Sequence, residues 1–443
     1  MTTTFPLSGT QTRRGACPSL AAPMQTGDGL LVRLRPAASA LSANDLLALA
    51  DLARAHGNGL IEITARGNLQ LRGLTEASVP RLAAALSDAG IVLQTGVAIE
   101  IPPLAGVDPS EIADATPVAA ALRTAIADAA LKLAPKLAIV VDGGGMLSLA
   151  DMVADIRLDA VAMADGVVWR LSVGGDRASA KAVALLSPET VAGGAMIAVA
   201  ALAALGPAAR GRDLDVLALK AALGSQPVPD IKTAAIHRVG AHHIGGETVL
   251  GIAPAYGQVH ADRLAALVNG FFACGATEFR LAPHRTLLVR GLETLAAAQA
   301  VAGREGFWGT DDAPGRSISI CAGAAGCASA SFDTHAAADA VVAHAGALLD
   351  GSVDLHISGC PKGCAHPSAA AVTLCGTAAG IGLVLGGRAG DAVAATVGAD
   401  DLKPAIQRLG ALLSACHANR KTAKNLLDRT APAALISAYQ GQQ

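Results

Sequence analysis

The stretch LLVRLRP at residues 30–36 returns as TVLGIAP at residues 248–254, a displacement of 218 positions. The residues beyond each copy keep the same step. Leu46, Ala48 and Leu49 fall on Leu264, Ala266 and Leu267, Gly57 falls on Gly275, and NLQLRGL (68–74) falls on TLLVRGL (286–292), all without a gap. Each copy reads as strand, helix, strand: an alternating apolar run, a helical period, a glycine turn and a second alternating run. One such unit cannot bury its own sheet, so the two copies are expected to pack together.

A looser repeat fills the intervening blocks. AVAMADGVVWRLSVGG (160–175) matches AVTLCGTAAGIGLVLGG (371–387) at a shift of about 212. In front of each lies a strand with a glycine loop, KLAIVVDGGG (136–145) and LHISGCPKGC (355–364). The chain therefore reads A–B–A′–B′, with expected boundaries 1–108, 109–228, 229–311 and 312–443 and linkers near Pro102–Pro109, Gln226–Pro229 and Asp311–Gly315, where Pro, Gly and Asp cluster. Loops that differ between the copies are where function is expected. A offers Arg66 where A′ offers His284 and Arg285; B has plain glycines at 143–145 where B′ carries cysteines.

Composition narrows the classes. At ~150 residues per domain, 443 residues suggest about three domains. A net charge of −2 carries no nucleic-acid footprint, and 52% apolar residues exclude disorder. Only 2% of residues are aromatic, so the core is built from small side chains in close backbone contact. Eight cysteines in 443 residues are too sparse for a disulfide-stapled scaffold. Arg13-Arg14 is followed by Pro18, Pro23 and Gln25 rather than by the apolar run of an export signal. The apolar run Val191–Ala209 is mostly Ala and Gly, which insert weakly, and reads as a buried helix. A reducing cytoplasm, no membrane and no nucleic acid are the expectations.

The strongest chemical signal is Cys321-x5-Cys327 followed by Cys360-x3-Cys364. Thiolates suit iron–sulfur clusters and zinc, but an x5 pair is wider than zinc knuckles favour, and the flanking glycines let backbone amides reach cluster sulfurs. Iron–sulfur is the favoured reading, zinc the lesser one. Cys274, Cys375 and Cys416 stand alone in apolar stretches and read as core, and Cys17 sits in an irregular segment. Gly143–Gly145 lacks G-x-G-x-x-G spacing, so it reads as a tight turn and no nicotinamide site is expected.

With these residues in hand, the chain resembles the sirohaem sulfite and nitrite reductase superfamily along almost its whole length. The resemblance implies an α+β, duplicated nitrite/sulfite reductase-like fold: two ferredoxin-like half-domains packed together, and two mixed α/β catalytic domains in pseudo-twofold relation. It also implies that Cys321, Cys327, Cys360 and Cys364 hold a [4Fe–4S] cluster. RRGACPSLAAPMQTGDGLLVRL (13–34) and PKLAIVVDGGG (135–145) resemble one branch, the precorrin-3B synthases of aerobic cobalamin biosynthesis, which are monooxygenase-like and act on a tetrapyrrole.

Carried over one position at a time, the superfamily's R-x-R strand matches Arg33-Leu34-Arg35, with Arg35 the favoured equivalent of its anion-binding arginine, and its R-x3-Q contact matches Arg66 and Gln70. A second anion-binding arginine is replaced by Val97, and of a K-x-K pair Lys136 is kept while the other position is Ala138. Losing two of four cations argues against a small oxyanion substrate and is compatible with O2, which gains nothing from them. The sirohaem-dependent nitrite or sulfite reductases are the alternative, and a non-catalytic electron carrier is a more distant one.

The branch resemblance implies precorrin-3A, a carboxylate-rich ring, lying where the superfamily holds sirohaem, so no sirohaem is expected. It further implies that O2 hydroxylates C20 of this ring and that a ring-A acetate closes a γ-lactone. NADH, through a separate reductase, is the expected electron source, with the cluster expected to pass the electrons singly. A polyanion needs several basic contacts. The candidates are Arg33, Arg35, Arg66, Gln70, Arg72, Lys136, Arg280, Arg285 and Lys362, with Arg66, Lys136 and His284 assigned to the reaction itself. A mononuclear non-haem iron would draw on His242, His243, His284, His356 or His366.

Overall fold

A computed structural model of the chain describes residues 18–224, 229, 235–415 and 422–441. Arg13-Arg14, Cys17, Cys416 and the Gln226–Val228 part of one expected linker lie outside these residues. The chain divides into two compact units, one holding residues 94–236 and the other 23–93 with 237–443.

The larger unit begins with β1 (Met24–Thr26), β2 (Gly29–Leu34), α1 (Ala43–His56), β3 (Leu60–Ile63), β4 (Leu69–Leu74) and α2 (Ser78–Asp88). The smaller unit carries β5 (Ala98–Glu100), α3 (Thr116–Ala129), β6 (Ala138–Asp142), β7 (Ala154–Met163), β8 (Gly166–Gly175), β9 (Lys181–Leu186), α4 (Val191–Leu205) and α5 (Val216–Leu223). Back in the larger unit come β10 (Gly240–Ile244), β11 (Glu247–Pro254), β12 (Gln258–His260), α6 (Ala261–Ala273), β13 (Glu278–Ala282), β14 (Thr286–Arg290), α7 (Leu295–Arg304) and β15 (Phe307–Trp308). Its last part holds β16 (Ile318–Ile320), α8 (Gly323–Gly326), α9 (Thr334–His344), β17 (Leu355–Ser358), β18 (Ala370–Thr377), β19 (Gly380–Gly387), β20 (Ala395–Val397), α10 (Leu402–Ala415), α11 (Ala423–Arg429) and α12 (Pro432–Gln440).

The 218-residue displacement is a register in three dimensions. Arg33 pairs Gln70 across β2 and β4, and Gly251 pairs Leu288 across β11 and β14. Ile61 pairs Leu71, and Phe279 pairs Val289. The helices repeat in the same way: α1 buries Leu46, Leu49, Ala50 and Ala53, and α6 buries Leu264, Leu267, Val268 and Phe271. The i, i+3, i+4, i+7 spacing of each set is one apolar stripe. Ser42 starts α1 with a capping box, its Oγ accepting the Asp45 N–H at 3.2 Å while the Asp45 carboxylate accepts the Ser42 N–H at 2.7 Å.

The two copies do pack on each other. β12 of the second joins the sheet of the first, giving the order β1-β2-β4-β3-β12. Leu41 bridges Phe279, and Arg54 on α1 meets Asp262 on α6.

The intervening blocks also share a plan. Their sheets run β5-β6-β7-β8-β9 and β16-β17-β18-β19-β20, with the first two pairings parallel and the last two antiparallel in both. The hairpins close at Met163–Gly166 and at Thr377–Gly380, which sets their displacement at 214, two residues beyond the 212 read from sequence. α4 covers the first of these sheets. Gly194, Ala195, Ala198, Val199 and Leu202 are buried while Leu205 is exposed, and among the described residues no helix is long and apolar enough to cross a membrane.

The structure divides differently from the expected boundaries. β5, expected in a half-domain running to residue 108, pairs with β6 and belongs to the smaller unit. Residues 102–105 are buried rather than a linker, because the turn packs Leu104 and its neighbours inward. Asp311, at another expected linker, is tied to Arg316 and His237 within the larger unit.

Candidate functional site

The site grows from one row of residues across four strands. Cross-strand pairing sets Arg33 (β2) beside Gln70 (β4), Gln70 beside Glu62 (β3), and Glu62 beside Gln258 (β12). All four side chains line a cavity of about 320 Å³ whose lining residues all belong to the larger unit. Arg33 Nε and an Nη donate to Gln70 Oε1 at 3.1 and 2.7 Å. The Gln70 amide donates to Glu62, whose other oxygen accepts from Gln258 at 3.3 Å and from Arg72 at 3.2 Å. Arg72 also makes a two-pronged contact with Asp28, at 3.0 and 2.9 Å.

Arg72 is therefore a buried cation with two carboxylates. Burial works against its charge, yet Glu62 and Asp28 hold its pKa above the ordinary guanidinium value. Burial alone would raise Asp28, but the Arg72 hydrogen bond and charge hold its carboxyl below the usual range. Expected as a substrate contact, Arg72 lines the cavity with its charge already compensated.

Two loops from the paired copies meet at the cavity. The His284 N–H donates to the Ala65 carbonyl at 2.8 Å, and Arg66 lines the space. His284 and Arg285 both adopt left-handed backbone, φ 58° and 61°, a strained pair for non-glycine residues. Arg285 lies over Gly257, where a Cβ would come within 2.3 Å of Arg285 Cδ, and its guanidinium reaches Ser319 Oγ at 3.4 Å. Burial lowers its pKa, Glu62 partly restores it, and Arg316 lowers it further.

The other expected basic residues are placed elsewhere. Arg280 is buried against Glu278 and is absent from the cavity lining, because its strand position is spent on that local pair. Arg35 lies just beyond β2, half-buried and off the lining. Lys362 is exposed and donates to Ser329 Oγ at 3.2 Å. Lys136 is exposed just before β6 in the smaller unit. In that unit Val97 packs against the apolar core, and the Ala138 N–H donates to Asp155 at 3.0 Å.

The cysteines sit on loops that leave two neighbouring parallel strands. Cys321 follows β16, Cys360 and Cys364 follow β17, and Cys321 and Cys364 both line the cavity. The Gly359 N–H donates to Cys321 Sγ at 3.1 Å; burial still pushes this thiol up. At Gly27, in the turn between β1 and β2, a Cβ would come within 2.4 Å of Cys327 Sγ. The bare backbone there leaves room for the sulfur.

Among the described residues no three His, Cys, Asp or Glu side chains are grouped to hold a metal ion. A four-iron cubane is wider than one ion and takes its thiolates from separated loops, so four soft donors beside donating amides fit it in kind. The mononuclear iron expected from histidines finds no such donor set. His242 and His243 are bonded to the Arg238 carbonyl and the Thr248 hydroxyl, and His284 is exposed. His356 and His366 face each other, 5.6 Å between ring centres. Cys375 is buried, as expected of a core residue, whereas Cys274 is half-buried at the end of α6.

Glu62, Asp28, Gln258 and Tyr256 were not anticipated from the sequence. Glu62 had one available signal: the 218 shift sets it on Arg280, a reversal of charge in otherwise matching strands.

A duplicated α+β chain with cysteine loops beside a basic cavity defines a nitrite/sulfite reductase-like protein. Residues 22–89 match the nitrite/sulfite reductase ferredoxin-like half domain. The solved structure of the Mycobacterium tuberculosis NirA protein superposes with a TM-score of 0.66, covering 92% of this chain and 84% of that one at 21% identity, which speaks to the fold. A precorrin-3B synthase from Sinorhizobium sp. is 46% identical over 437 residues, 97% of this chain and 95% of that protein. The chain belongs to the precorrin-3B synthase family.

Proposed function

We propose that this protein hydroxylates precorrin-3A at C20 with O2 and closes a ring-A γ-lactone, giving precorrin-3B. The observation that carries the reading is the 320 Å³ cavity, which has Cys321 and Cys364 in one wall, four arginines around it and Glu62 as its single acid. A neutral or cationic substrate would leave that charge unanswered; a carboxylate-rich ring answers it.

Incorporating one oxygen atom into the ring takes two electrons and two protons, and the other atom leaves as water. NADH, through a separate reductase, is the proposed electron source. A [4Fe–4S] cluster held by Cys321, Cys327, Cys360 and Cys364 would supply electrons one at a time. Arg33, Arg66 and Arg285 hold ring carboxylates, with Gln70 orienting Arg33 and Arg72 steadying Glu62. Arg66 keeps the reacting ring still, and His284 takes or returns a proton. Arg35, Arg280 and Lys362 are left with supporting parts. The cytoplasm is the proposed location.

Anaerobic purification, followed by addition of precorrin-3A and 18O2, tests this. One 18O atom in the product is expected. Product without 18O overturns the reading, and a sirohaem spectrum with nitrite or sulfite reduction replaces it with the reductase alternative.

A further inference from the structure

Beside the large cavity lies a second, of about 100 Å³, which shares Ala65, Tyr256, Gly257 and Arg285 with it. Among the described residues its lining holds Arg285, Arg316 and His284 and no carboxylate. Arg316 reaches outward to Asp311 at 3.0 Å, and that acid's other oxygen is 3.3 Å from His237 Nδ1. Among the described residues, Arg285 has only the Ser319 hydroxyl and the distant pull of Glu62. Burial depresses both guanidinium pKa values, and Arg316 depresses Arg285 further. Two half-buried cations facing one small space, with their acid on the outside, is an arrangement that an anion relieves.

We propose that this small cavity is a carboxylate subsite. It takes one carboxylate-bearing side arm of the tetrapyrrole whose ring occupies the large cavity, with Arg285 at the junction and Arg316 closing the far wall. The proposal rests on the tetrapyrrole reading above. Gly257 is part of the device: its missing side chain lets the Arg285 stem lie flat between the two spaces. Arg316, on the short turn Pro314–Ser317 ahead of β16, falls outside both sequence repeats.

The test is the affinity of the full-length protein for uroporphyrin III, a tetrapyrrole with eight carboxylates, followed by absorbance. Arg316→Gln is expected to weaken binding about tenfold to a hundredfold, the worth of one charge-assisted hydrogen bond. Asp311→Asn, which removes Arg316's outer partner and leaves the cavity intact, is expected to leave affinity unchanged or tighter. If Asp311→Asn weakens binding in step with Arg316→Gln, Arg316 acts only as a strut and the proposal falls.

Unchanged affinity in Arg316→Gln also overturns it, with the tetrapyrrole reading intact. Failure of the wild-type protein to bind uroporphyrin overturns that reading instead. A tethered arm outcompetes free acetate through its effective concentration, so tens of millimolar acetate should not displace uroporphyrin. Displacement from wild type but not from Arg316→Gln would assign the cavity to a free carboxylate and sink the proposal. Should Arg316→Gln fail to fold, Arg316→Lys, which keeps the charge and loses the planar fork, carries the same comparison with a loss of about threefold to tenfold.

Discussion

Asp142 and His356 occupy the same place in two copies of one sheet. The hairpins at Met163–Gly166 and Thr377–Gly380 align them: Asp142 pairs Asp159 four residues before one turn, and His356 pairs Thr373 four residues before the other. All four residues are wholly buried. In the first copy the pair is held by arginines, against a burial that pushes the Asp142 carboxyl up. Arg177 bonds Asp142 at 2.6 Å and Asp159 at 3.1 Å, and Arg157 bonds Asp159 at 2.8 Å. Asp142 also accepts the Gly144 and Leu149 N–H groups, so the glycine loop behind it is stitched shut.

In the second copy the pair is neutral. Burial, with His366 nearby, pushes His356 down to about 4, so it carries no charge at neutral pH. The loop behind it bears Cys360 and Cys364, with the Ser358 hydroxyl donating to the Cys360 carbonyl at 2.7 Å. A buried carboxylate beside thiolates would meet like charge, and a neutral imidazole does not. One duplicated frame has thus been used once as a closed ionic scaffold and once as a sulfur-bearing wall.

That contrast can be broken at several points. Cys321→Ala is expected to have the largest effect, complete loss of cluster iron and sulfide measured by metal and sulfide analysis with absorption spectra; full retention would remove the thiol assignment. Arg157→Ala, in the closed copy, leaves two buried carboxylates short of a partner. A loss of about 3–5 kcal/mol in urea unfolding of that unit is expected, and a loss under ~1 kcal/mol would mean the ionic cluster is not what holds it.

A basic residue of the cavity sharpens the comparison further. Arg66→Ala is expected to weaken tetrapyrrole binding about tenfold in a direct titration, and unchanged affinity would remove it from the site. The smallest effect belongs to Glu111, beside the closed glycine loop. Burial first, then Asp114, Asp108 and Asp142, push its carboxyl up to about 7 against a backbone hydrogen bond from Gly106. The folded state therefore holds a proton that the unfolded chain releases near pH 4.5, so stability falls as pH rises from about 4.5 to 7. Glu111→Gln should flatten that slope in denaturation curves, and an unchanged slope would move the titration elsewhere.

Much of this was legible in the sequence because it is local or periodic. A shift of 218 between LLVRLRP and TVLGIAP turned out to be the hydrogen-bond register itself, since alternation along a strand admits no one-residue slip. The apolar stripe Leu46, Leu49, Ala50, Ala53 likewise declared α1 and its partner face. The boundary at residue 108 was misplaced because Pro and Gly mark turns as readily as linkers, and the Pro102–Pro103 turn is buried.

By itself, the sequence determined the duplication, the packing of two half-domains and the two cysteine pairs on glycine loops. Only the tertiary structure decided the working surface. Glu62 and Gln258 meet across β3 and β12 although 196 positions separate them, Arg72 is neutralised by Asp28 and Glu62, and Arg316 closes a second cavity beside Arg285. The reason is physical. A periodic pattern shows which face of an element is buried, but the charge left on a buried arginine depends on which carboxylate a distant strand brings beside it.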